Sequence, residues 1–210
     1  MPHWLRKLMP QEAKFFPLFN EHAEQVAQAA AQLRERLAAQ APAGNDTLDA
    51  IVDKGGDTAT RIQALLRSSF VTPFDRSDIK EMTASMQLLL EDIRSAARLG
   101  ASAPGLALDE FAQWVVDCAG ELRKGIADLE EFDKHVDDLR HMREAIGKLH
   151  RQSQARADEA AVRLFGGAGR APADAVAALA GTRVLERLGR IVERFDEVAD
   201  HIDDLVLDHV

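Results

Sequence analysis

Apolar side chains recur at intervals of three and four residues in six successive stretches of this 210-residue chain, and only α-helices bury such a pattern on one face. The first stretch, Glu12 to Gln40, carries Phe15, Phe19, His22, Val26, Ala29, Leu33 and Leu37. The second, Thr47 to Phe70, carries Leu48, Ile51, Ile62, Leu65 and Leu66, and holds Gly55-Gly56 inside it. Two glycines cost about 1 kcal/mol each relative to alanine, so this rod is expected to bend or be locally weak. The third runs to Gly100 through Ile79, Met82, Met86, Leu89, Ile93 and Ala96.

The second half repeats the arrangement. A fourth helix to about Glu130 turns Phe111, Trp114, Val115, Cys118, Leu122, Ile126 and Leu129 inward. A fifth, Phe132 to Phe165, carries Val136, Leu139, Ile146, Leu149, Ser153, Ala157, Ala160 and Leu164. The last opens near Pro172, which suits a first helical turn, and carries Leu185, Leu188, Val192, Phe195, Ala199, Ile202 and Val206. Breaks fall at Ala41–Asp46, Thr72–Asp75, Ala101–Gly105 and Gly166–Gly169. Asp75 or Ser77 can cap the third helix. The short loops imply antiparallel neighbours, and the break near 101–105 implies two groups of three helices within one domain, 11–100 and 105–210.

Composition narrows the function. Hydrophobic residues are 46% and charged residues 29%, as in a globular chain, and strand-favouring aromatics are sparse, with no Tyr. A net charge of −9 without a basic aromatic patch argues against nucleic acid. No apolar run approaches the roughly 20 residues that span a bilayer. The segment Trp4–Met9 is too short for a secretory signal, and one cysteine, Cys118, suits a reducing compartment. A cytoplasmic location is expected.

Catalytic motifs are missing: no Gly-x-Ser-x-Gly, no phosphate-cradling Gly-Lys-Ser/Thr loop, no dinucleotide fingerprint. Of seven histidines, none forms the Glu-x-x-His of a di-iron bundle. Asp138-x-x-His141 is the nearest match, and His22 reads as a satisfied core or boundary histidine. Asp53 and Asp57 share one helical face, as do Asp196 and Asp200 with Glu193 nearby. Such pairs can ligate a hard cation with acids from a neighbouring helix, although a solvated acidic face is the plainer explanation.

The segment Phe70-Val71-Thr72-Pro73-Phe74-Asp75-Arg76-Ser77-Asp78-Ile79 resembles a characteristic turn of the PhoU-like family, in its branch of phosphate-transport regulators or Pit accessory proteins. Leu8-Met9-Pro10, with Lys14-Phe15-Phe16 and Leu18-Phe19, is similar to that family's opening, and Leu149–Phe165 and Val184–Asp203 match its closing pattern loosely. The resemblance implies two three-helix bundles side by side and a cytoplasmic partner of a Pit-type membrane phosphate permease. It also implies acidic motifs that hold metal clusters. Asp53 and Asp57 match the first motif, and Arg76 and Asp78 match its turn, in cap and ion-pair roles.

The other motifs are half broken: Gln87 precedes Glu91, Gln154 precedes Asp158, and Gly189 precedes Glu193. The expectation is therefore a single weakly held ion (iron, zinc or magnesium) rather than a cluster. Its candidate ligands are Asp53 and Asp57 with Glu91, or with Asp158, Glu193, Asp196 and Asp200. Trp4, Phe16 and Phe74 are the expected docking anchors. Two other functions compete: a metal-binding carboxylate bundle with redox or storage chemistry, and a self-assembling structural bundle, since the last helix permits a homo-oligomer.

Overall fold

The computed structural model describes residues 12–39, 46–100, 108–165 and 172–208. A 3-10 turn, Glu12–Lys14, leads into α1 (Phe15–Ala39), followed by α2 (Asp46–Ser68) and α3 (Arg76–Gly100). Then come α4 (Asp109–Asp128), a 3-10 segment (Leu129–Lys134), α5 (Val136–Phe165) and α6 (Pro172–Leu207). The expected all-α fold holds, and no strand occurs among the described residues. Trp4, the Leu8-Met9-Pro10 opening and the breaks at 101–105 and 166–169 lie outside them.

The periodic stripes dictate the packing. α1, α2 and α3 each contact the other two, as do α4, α5 and α6. The two groups join through α1 on α4 and α3 on α6. One continuous apolar core runs through both, from Phe19, Val26 and Met86 to Leu122, Phe195 and Ile202. No helix of the described residues is long and apolar enough to cross a membrane.

Three local expectations need correction. First, α2 runs unbroken through Gly55-Gly56. A Cβ at Gly55 would stand 2.1 Å from Leu90 Cδ1, so this glycine lets α2 approach α3 closely instead of loosening the rod. Gly125 does the same for α4 against Met142 of α5. Second, residues 129–134 are a kinked 3-10 segment, with Glu131 at φ −124°, where continuous helices on either side were expected to meet. Leu129 and Phe132, three apart, are both buried by that tighter turn.

Third, Phe16 and Phe74 are buried core residues, not exposed anchors. Phe16 meets Phe74 edge-on at 6.1 Å, and Phe74 meets Phe132 at 6.0 Å. These rings join the α2–α3 turn to the α4–α5 turn at one end of the bundle. Arg76 completes that turn: its guanidinium donates to the Leu66 and Ser69 carbonyls, which end α2 without helical partners. Asp75 takes the N-cap position of α3, its carbonyl accepting from the Ile79 amide. Asp78 is tied through its carbonyl to His201 Nε2 of α6, at 3.2 Å.

His22 is fully buried between α1 and α3, where its ring faces the Gln87 side chain but neither ring nitrogen reaches a partner with hydrogen-bond geometry. The sequence reading expected a satisfied histidine. Burial pulls its pKa down from 6.5 to about 4, against weaker opposing effects of Gln87 and Glu21. The imidazole is therefore neutral in the fold and protonated in the unfolded chain once the pH drops below 6.5. Its contribution is intact above pH 6.5 and lost as the pH falls toward 4, a difference of about 3 kcal/mol. Urea unfolding at pH 7 and pH 4.5 should show His22→Met losing less stability on acidification than the native chain. Equal losses in the two proteins contradict this assignment.

Candidate functional site: arginine-bridged acidic faces

The seven candidate ligands are distributed over four helices: Asp53 and Asp57 on α2, Glu91 on α3, Asp158 on α5, and Glu193, Asp196 and Asp200 on α6. They do not gather at one point. Asp53, Asp57, Asp158, Glu193 and Asp200 are exposed, and Asp53 keeps 76% of its side chain in solvent. Among the described residues, no three of the seven bring ligand atoms within 4.8 Å of one another.

Arginine brings together those that do meet. On the first face, Arg94 of α3 reaches Asp53 of α2 at 3.6 Å and also pairs with Glu91 one turn before it. Gln87 Nε2 lies 3.5 Å from the other Glu91 oxygen. On the second face, Arg143 of α5 donates to Asp196 at 3.0 Å and to Asp200 through Nε. Gly147 makes room for that reach, since a Cβ there would stand 2.7 Å from Arg143 Nη1. Asp196 has 18% of its side chain exposed and also holds His150 Nδ1 at 2.7 Å. Gln154 Nε2 stands 2.9 Å from His150 Nε2, which fits an amide donating to the ring while Nδ1–H donates to Asp196.

A third arginine cluster crosses the seam between the two groups. Asp92 of α3, with 14% of its side chain exposed, is gripped by Arg194 at 2.8 Å and Arg187 at 3.3 Å, both from α6. Guanidinium groups suit this work because their charge is permanent and their planar fork can serve two carboxylates at once. As the side chains stand, each pair of acids on the first two faces shares one guanidinium, which offsets half of its charge, while Asp57, Asp158 and Glu193 lie apart from these clusters. The residues do not fit the metal cluster that the resemblance implies, and a single ion at Asp196 and Asp200 would have to displace Arg143.

One other group places three ligand atoms within 4.8 Å: Asp128, His135 and Asp138, at the kinked end of α4. Its own histidine already engages one of the two acids. His135 Nδ1 sits 2.9 Å from Asp138 Oδ2, and that hydrogen bond pushes the imidazole pKa above its ordinary value. Cys118 is fully buried in α4, and burial pushes its thiol up, away from the reactive thiolate.

Sequence reasoning found the acids and missed their partners. Arg94 was within reach of it, lying three residues after Glu91 on one helix face. Arg143 lies 53 and 57 residues from its carboxylates, so the register of α5 on α6 had to be known first.

Removing Arg143 exposes what it does. Arg143→Ala is expected to lower stability by about 1–3 kcal/mol, because it leaves Asp200 without its partner and Asp196 with His150 alone, two carboxylates four residues apart and no guanidinium between them. Added Zn²⁺ or Mn²⁺ should then restore part of the lost melting temperature. The native chain should respond to neither the metals nor a chelator. An equal metal response in both proteins rules out the guanidinium as the occupant of this face.

No family model matches the chain. A protein of Rhizobium meliloti (strain 1021) carrying the name of a pit accessory protein is 27% identical over 218 residues, covering 98% of each chain. A crystal structure of a PhoU-like protein from Shewanella oneidensis MR-1 superposes with a TM-score of 0.76 at 15% identity, covering 92% of this chain and 99% of that one. The two bundles side by side are thus a PhoU-like fold, and the resemblance to the PhoU-like family, in its Pit accessory branch, extends over essentially the whole sequence.

Proposed function

We propose that this chain is an accessory protein of inorganic phosphate transport, which docks on the cytoplasmic face of a Pit-type membrane permease and modulates it. The observation that carries this reading is the end-to-end similarity to a relative named as a pit accessory protein. Its PhoU-like fold supports the same reading. The mechanism is binding rather than catalysis: a rigid surface meets the transporter and biases its conformations by differential contact.

The docking anchor on this reading is Phe70, at the tip of the α2–α3 turn. Its side chain is 96% exposed, next to the half-open Val71, and large exposed apolar groups of this kind mark contact surfaces. The buried rings of Phe74 and Phe132 and the carbonyl grip of Arg76 hold the turn that carries it. Such preorganisation reduces the entropy lost on binding. The alternative of a redox or storage carboxylate bundle is less favoured, because among the described residues no three of its candidate acids meet, and Asp53, Glu91, Asp196 and Asp200 are engaged by Arg94 and Arg143.

The test is recovery of a tagged chain from membranes containing a Pit-type phosphate permease, together with phosphate uptake in a deletion strain. The permease should copurify, and uptake should change in the deletion. Phe70→Ala should keep stability within about 0.5 kcal/mol, as for exposed sites generally, while weakening the association. Absence of association combined with unchanged uptake eliminates the proposal.

A further inference from the structure

A groove of about 880 Å³ opens between α3, α5 and α6. Arg94 and Arg98 of α3 line one wall, and Arg183, Arg187 and Arg190 of α6 line the other. Five arginines in one concavity are unexpected for a chain of net charge −9.

Their pairing shows which of them are available. Arg98 and Arg187 are tethered from outside the groove, by Asp49 and Asp92, whereas Arg94 is held by Asp53 outside it and by Glu91 in its own lining. Each guanidinium carries five N–H donors, and these pairs use only part of that set while fixing its position. Arg183 and Arg190 differ: among the described residues they make no ion pair. They lie seven residues apart on α6, two helical turns or roughly 10 Å along one side. Gly189, between them, has nothing within 4 Å of where its Cβ would be, so the wall stays open there.

The remaining lining sets the ligand's character. Glu186 and Glu193 share the α6 wall and Glu91, paired with Arg94, sits on the α3 wall; the three carboxylates disfavour any anion too weakly charged to outweigh them. Among the described residues, Leu99 is the only large apolar side chain in the groove, and His150, its one ring, has only 15% of its side chain exposed. A nucleobase would find no open aromatic face to stack on. A compact ligand with several charges, long enough to touch both free arginines, satisfies all of these conditions. We infer that this groove binds a short linear inorganic oligophosphate. The inference draws nothing from the transporter reading and stands or falls without it.

Titration calorimetry on the full chain tests it, with sodium tripolyphosphate, orthophosphate and phosphatidylglycerol vesicles as separate probes. Tripolyphosphate should bind at one site, more tightly than orthophosphate and more weakly as salt rises. Arg183→Ala with Arg190→Ala should weaken it by about tenfold or more, since charge-assisted bonds to phosphate are lost. Glu186→Gln with Glu193→Gln should tighten it. Gly189→Leu, which adds bulk to the groove without removing a charge, should block it. No binding at low salt, or binding indifferent to all three variants, overturns the proposal. So does vesicle binding that the arginine variant abolishes without any tripolyphosphate binding, which would reassign the groove to a lipid headgroup.

Discussion

Thirty-five carboxylates against twenty-six lysines and arginines make close packing of six rods an electrostatic problem as well as a hydrophobic one. The hydrophobic effect brings the stripes together, but it does not choose which acids may sit at a helix crossing. Arginine makes that choice here. Where α2 meets α3 and α5 meets α6, a guanidinium stands between carboxylates that would otherwise repel, and where α3 meets α6 two guanidiniums flank the Asp92 carboxylate. Removing either partner of a half-buried pair leaves a charge without compensation, so such pairs fix register more than they add stability.

That arrangement changes what an acidic face on this chain means. Carboxylates four apart on a helix resemble half a metal site when only the sequence is in view. In three dimensions, Arg143 and Arg94 supply the positive charge from a neighbouring turn or a neighbouring rod. Gly147 is part of the same device, because any side chain there would push Arg143 away from α6.

What could be read beforehand follows from the range of the forces involved. Burial of a helix face writes a local period, so the stripes of Val26, Met86, Leu122 and Phe195 identified the six rods and their inward faces. The distinctive turn from Phe70 to Ile79 carried the family resemblance. Side chains off the stripe were harder. Phe16 and Phe74 carry no periodic mark, and only the meeting of two distant turns shows that they close the end of the bundle. Gly55 looked like a weakness because Leu90, thirty-five residues on, is what requires it. His22 fell on a core stripe, yet nothing local revealed that its ring would lack partners.

The join between the α2–α3 and α4–α5 turns has a mechanical consequence. Phe74 against Phe132, with His201 on the Asp78 carbonyl, fastens the two halves at one tip. Asp92, gripped by Arg187 and Arg194, fastens the same seam a second time, roughly 24 Å along α3 from Arg76. Rods pinned at two separated points cannot pivot about either, so the end of α3 that carries Arg94 is held in step with α6.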